Sequence, residues 1–96
     1  MVYEEEILSL DELFRELSIL DMDAGLRIET QYNGKDCYIF ITRNNAGYAL
    51  AIYNTVQKGN LKVPNERLAF KKFLNSQQLT DYLKQILDSS FRCFRY

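Results

Sequence analysis

The chain has 96 residues, 47% apolar and 26% charged. That is the composition of one folded globular domain and excludes a disordered chain. Histidine is absent, which excludes the usual Ser-His and Cys-His dyads and every histidine-containing zinc signature. The net charge of −1 hides an asymmetry: residues 1–23 hold eight acids and one base, residues 24–96 eleven bases and five acids. An acidic start therefore precedes a basic remainder.

The start, MVYEEEILSLDELF, lacks a basic n-region and is acidic where a signal peptide is uninterruptedly apolar. No apolar run approaches the ~18 residues that would span a bilayer. A cytoplasmic protein without a membrane partner is the expectation. The first organised segment is SLDELFRELSIL. Ser9 and Glu12 have the spacing of a capping box, and Leu10, Leu13, Phe14, Leu17 and Leu20 recur at helical spacing. A helix over about 10–21 is predicted, ended by DMDAGL with Gly25 as a left-handed cap. Asp11, Glu12 and Glu16 form an acidic surface on it. Early-turn acids favour the helix dipole, and such a surface also suits a basic partner, to which it could imitate a nucleic-acid backbone.

LRIETQY alternates as a strand does, and Asn33-Gly34 after it is the strongest short hairpin signal. CYIFITR, broken by NNAG, and YALAIYNTV give two further strands. After the turn QKGN comes LKV and then Pro64, which cannot donate to a ladder. A fourth strand there is predicted to be an edge strand, bulged, or split before RLAFKKF. NSQQLTDYLKQIL reads as a second helix, with Asn75 and Gln78 as a capping pair and Leu79, Tyr82, Leu83, Ile86 and Leu87 as its apolar stripe. The tail SSFRCFRY fits either a helical extension or a strand. The predicted fold is α+β in two layers: a four-stranded antiparallel meander with the N-terminal and C-terminal helices packed on one face, all within one domain over 1–96.

Turn chemistry assigns the faces. A two-residue Asn33-Gly34 turn pairs Ile28 with Ile39 and Leu26 with Ile41; a turn at Gly34-Lys35 slips the pairing by two and preserves the faces. Pairing Arg43 with Tyr48 across NNAG adds Leu50 and Ile52 to the same side, with Val56 and Leu61 expected to join them. This is the core face. The reverse face carries Arg27 and Glu29, then Tyr38, Phe40 and Thr42, then Ala49, Ala51 and Tyr53. Tyr38 is expected opposite Tyr53 and Phe40 over Ala51, with Lys62 at the margin. Aromatic at the centre and polar at the rim, it has the anatomy of an interface hot spot.

Three readings of this patch are open. It could bind a protein, either a second copy in a homodimer or a different partner, through Tyr38, Phe40, Tyr53, Arg27, Thr42 and Ala51. It could be a base-stacking platform for single-stranded nucleic acid, with Arg27, Arg43, Lys62, Lys71 and Lys72 tracking phosphates. It could also be covered by the chain's own tail or helices. No catalytic constellation is present and no cofactor or metal is expected. The acids are scattered, and YNGKD has one glycine, which makes a hairpin and not a phosphate loop. Cys37 and Cys93 lack CxxC spacing and are expected to remain thiols, Cys37 as a small apolar core residue. A small non-catalytic adaptor, regulator or inhibitor is the leading expectation, and a single-strand nucleic-acid binder the alternative. The order helix, strands, helix is also that of double-stranded RNA-binding domains. Their second helix opens on a lysine cluster, whereas here the lysines of KKFLNSQQL precede the cap. Dimeric single-strand-binding proteins share the topology only, which does not license a function.

Overall fold

The computed structural model describes residues 6–7, 9–20, 25–87 and 91–95. Along the chain these form β1 (Glu6–Ile7), α1 (Leu10–Ser18), β2 (Gly25–Tyr32), β3 (Lys35–Asn44), β4 (Gly47–Lys58), β5 (Leu61–Phe73), α2 (Ser76–Ile86) and β6 (Arg92–Arg95). The strands make one antiparallel sheet in the spatial order β1-β6-β2-β3-β4-β5. With the two helices this is an α+β protein.

Side-chain caps fix both helices. Ser9 Oγ accepts the Glu12 N–H at 3.1 Å, satisfying one of the donors a helix start leaves open. Asn75 Oδ1 likewise accepts the Gln78 N–H at 2.9 Å, and Gln78 Oε1 reaches back to the Leu74 N–H at 3.0 Å. α1 stops at Ser18, short of the expected end near 21. Its last carbonyls explain the stop. Arg15 O accepts from the Ser18 hydroxyl at 2.7 Å, and Glu16 O from the Ile19 N–H at 3.3 Å. Leu17 O accepts from the Tyr48 hydroxyl at 2.6 Å, and Leu20 O, just beyond, from Arg43 Nη1 at 2.7 Å. The last two donors come from the distant β3–β4 hairpin, so tertiary contacts and not a glycine cap close the helix. Gly25 opens β2 opposite Thr42. The rest of the expected helix end, 21–24, lies outside the described residues.

The β2–β3 turn is of the expected two-residue kind. Asn33 and Gly34 both have left-handed backbones, with φ of 54° and 79°, as a type I′ turn requires. It sets Ile28 against Ile39 and Leu26 against Ile41. The next hairpin pairs Arg43 with Tyr48, Ile41 with Leu50 and Ile39 with Ile52. Gly47 (φ 130°) is required there: a Cβ would run into the Phe73 carbonyl oxygen at the end of β5. Leu26, Ile28, Cys37, Ile39, Ile41, Tyr48, Leu50, Ile52 and Cys93 line one face and form a single core with Leu13, Leu17, Leu20, Leu79 and Leu83.

The sheet is larger than the expected four-stranded meander. Residues 92–95 form a strand inserted between β1 and β2, which places Cys93 opposite Ile28 in the core. β5 is not split at Pro64. It runs on to Phe73, absorbing extra residues at register shifts between Ile52 and Tyr53 and between Tyr53 and Thr55. Leu61, expected in the core, is 69% exposed; it sits at the β4–β5 turn opposite Lys58. Val56 is half-buried.

Candidate functional site

Directly opposed residues of an antiparallel ladder share a face, so the face away from the core can be written as rows. The central row is Phe94–Arg27–Phe40–Ala51–Phe70, from β6 across to β5. To one side lies Arg92–Glu29–Tyr38–Tyr53–Arg67, and to the other Gly25–Thr42–Ala49–Lys72. The six residues expected at the patch, Tyr38, Phe40, Tyr53, Arg27, Thr42 and Ala51, thus lie together in adjacent positions. Thr42 is exposed and the other five are half-buried.

Three rings form the centre. Phe40 meets Tyr38 at 6.2 Å and Tyr53 at 5.6 Å between centroids, each pair nearly perpendicular. Such edge-to-face pairs add to the area they bury. Arg27 lies 4.9 Å from the Phe94 ring and 5.8 Å from the Tyr38 ring, and its Nη2 is 3.5 Å from Glu29 Oε2. Arg92 lies 5.0 Å from the Phe94 ring, and Arg67 lies 5.1 Å from the Phe70 ring.

Bulges raise local twist and bend the strand that carries them. Here they bring the first half of β5 towards the face, where Tyr38 donates its hydroxyl to Lys62 O at 2.9 Å and Lys62 Nζ pairs with Asp36 Oδ2 at 2.6 Å. The Lys62 ammonium, with help from Gln31, holds the Asp36 carboxyl below the usual carboxylate range, and the same contact raises Lys62. Thr55 Oγ1 donates to Asp36 O, and Asn54 Oδ1 accepts the Glu66 N–H at 2.7 Å. Between this folded-over strand and the rings lies an open groove of about 410 Å³. Ala49, Ala51 and Thr42 lie under it, and Phe40, Tyr53, Phe70, Pro64 and Asn65 complete its lining. All belong to β3, β4 or β5.

The acidic residues Asp11, Glu12 and Glu16 lie on α1, away from this face. Asp11 is exposed and the other two are half-buried. Among the described residues no group of three or more Cys, Asp or Glu converges as a metal site. Cys37 and Cys93 are buried thiols, and burial pushes the Cys37 thiol up.

Sequence reasoning missed Phe70, Phe94, Arg67 and Arg92 and expected Lys72, but it also expected Arg43 and Lys71, which the register places on the core face opposite Tyr48 and Leu50. Phe94 alternates with the core residue Cys93, and Phe70 with the inward Ala69. That alternation was readable in RCFR and LAF, but nothing local said that either segment joined this sheet. Compared with protein-family models, curated proteins and solved structures, the chain matches none significantly.

Proposed function

We propose that this chain is a small non-catalytic protein-interaction module, an adaptor, regulator or inhibitor of a larger assembly, that docks through the aromatic face of its sheet. The observation that carries the reading is the groove. It is apolar, is floored by small residues, and is walled by Phe40, Tyr53, Pro64 and Phe70. A partner's large apolar side chain placed there is desolvated on several sides, which is how interface anchors gain their energy. Polar and charged groups surround it, as at an interface rim.

Cations beside aromatic rings also favour a second reading, a single-stranded nucleic-acid platform. The ring geometry supports it less well. Stacking needs open ring faces, whereas Tyr38, Phe40 and Tyr53 pack edge to face and Tyr38 is tied by its hydroxyl to β5. The acidic α1 surface is a further contact for a basic partner. Charge reversal of Glu12 and Glu16 that leaves partner binding and its salt dependence unchanged removes it from the reading.

Site-specific photo-crosslinking tests the proposal. A crosslinker at Thr42, on the groove rim, is expected to form discrete protein adducts that the groove-filling Ala51→Leu change suppresses. The same group at Gln77, exposed on α2, is expected to form none. Equal adducts from both sites, or adducts only with nucleic acid, would refute the proposal.

A further inference from the structure

We infer that the groove receives an extended acidic segment of another protein: one large apolar residue seated in it, with a carboxylate two positions to each side. The inference rests on the protein-docking reading above and adds the partner's chemistry. Its first support is charge. By register, the described residues on this face include five bases (Arg27, Lys62, Arg67, Lys72 and Arg92) and three acids (Glu6 at the far margin on β1, Glu29 and Asp36). The two acids nearest the groove are already paired, Asp36 with Lys62 and Glu29 with Arg27. Arg67 and Lys72 are exposed and make no ion pair among the described residues. The only acid in β5 is Glu66, against four bases.

The second support is spacing. Lys72 and Arg67 stand in the rows on either side of the Phe40–Ala51–Phe70 row, so the groove lies between two cations along the strand direction. Along β4 the same-face rows repeat at about 6.8 Å, the spacing of every second side chain in any extended chain, while β5 takes one extra residue between Phe70 and Arg67 to reach the Tyr53 row. An extended segment following β4 and β5 therefore brings residues two before and two after its anchor over Arg67 and Lys72. Carboxylates at those positions complement both cations; lysines there would repel them. The same arithmetic disfavours a second copy of this chain, which would bring one net-positive face against another.

The full-length protein can be titrated by NMR with a short peptide carrying one phenylalanine and a glutamate two positions to each side. A lysine-for-glutamate peptide and a thymidine oligonucleotide serve as comparison probes. The glutamate peptide is expected to shift the resonances of Phe40, Ala51, Tyr53 and Phe70. Its affinity should fall about five- to tenfold in an Arg67→Glu/Lys72→Glu variant, both exposed positions that leave the core intact. A further fall is expected when salt is raised about tenfold. If the lysine peptide binds as tightly and moves the same resonances, the groove docks proteins but the charges do not choose them, and this inference alone fails. If the glutamate peptide leaves those resonances still, or keeps its affinity in Ala51→Leu, the docking reading falls with it. Tighter binding of the oligonucleotide at the same resonances makes nucleic acid the occupant. A dimer seen by sedimentation and dissociated by Phe40→Glu makes it a second copy. Either result overturns the inference.

Discussion

Ile39 and Phe40 are neighbours on β3, and truncating each in turn tests the two-faced sheet on which the functional reading depends. Ile39 is fully buried, and truncating such a residue to alanine costs about 2–5 kcal/mol through lost transfer energy and the cavity left behind. Phe40 is larger, but half-buried on the open face, where it packs edge to face against the rings of Tyr38 and Tyr53. Each such pair is worth about 0.5–1.5 kcal/mol beyond the area it buries, so the two pairs give Phe40→Ala a cost of about 1–3 kcal/mol. Urea denaturation followed by circular dichroism reads the difference. With a slope of about 1.2 kcal/mol per molar urea, at the low end of the range that suits a small domain, Ile39→Ala moves the midpoint down by about 3 M and Phe40→Ala by about 1.7 M. The larger residue should thus matter less. Midpoints that move equally, or a larger loss for Phe40→Ala, would show that the aromatic face is itself core and not a surface kept for a partner.

The end of α1 offers a second test. Tyr48→Phe leaves the ring in place but strips Leu17 O of its donor, at a cost of about 1–2 kcal/mol; an unchanged urea midpoint would refute the tertiary cap. Thiol labelling gives a third. Neither Cys37 nor Cys93 should react with a thiol reagent at native rates comparable to a peptide thiol, and Cys93 should label first as denaturant rises. It sits on a four-residue strand, whereas Cys37 lies in the ten-residue β3, and short marginal strands open locally before the core does. Simultaneous labelling of both would refute that order. The fourth concerns pH. Because Asp36 is lowered in the folded protein, its tether to Lys62 holds at pH above the ordinary carboxylate pKa and is lost as pH falls through the depressed value. Because Lys62 is raised, the tether also holds below the ordinary lysine pKa and is lost only as pH rises through the elevated value. Both groups are exposed, so salt should weaken the effect. An NMR titration of the Asp36 carboxyl with its midpoint at or above the ordinary value would contradict it.

What could be read from the sequence followed from local signals. Asn33-Gly34 dictated a turn type, the turn dictated a register, and the register dictated which residues share a face. Hence Tyr38 does oppose Tyr53, and Phe40 opposes Ala51. The Ser9 and Asn75 caps were legible for the same reason, since each acts within three residues. What could not be read was set by distant partners. RCFR carries no turn signal and becomes a strand because β2 offers it an edge. α1 ends where Tyr48 of the β3–β4 hairpin reaches Leu17 O, with Arg43 holding Leu20 O just beyond. Leu61 looked like core from its apolarity alone, but its position at the turn opposite Lys58 leaves it exposed. Pro64 signalled an edge, a bulge or a split, and β5 shows the first two and not the third. The number of extra residues its bulges would absorb, and so the inclusion of Arg67 and Phe70 in the site, depended on pairing with β4 that no short window encodes.

The seating of β6 between β1 and β2 has a practical corollary. The first and last described strands lie side by side at one margin of the sheet, while the groove occupies β3 to β5. With strands spaced about 4.8 Å apart, a surface anchor or dye attached ahead of β1 lies four strand spacings, roughly 19 Å, from β4, whereas one behind β6 adjoins Arg92 and Phe94 of the same face. The same adjacency lets a short linker bridge residues 95 and 6, so that the chain can be reopened at the Gly59–Asn60 turn to give a circular permutant with the same sheet and its new ends beside β5.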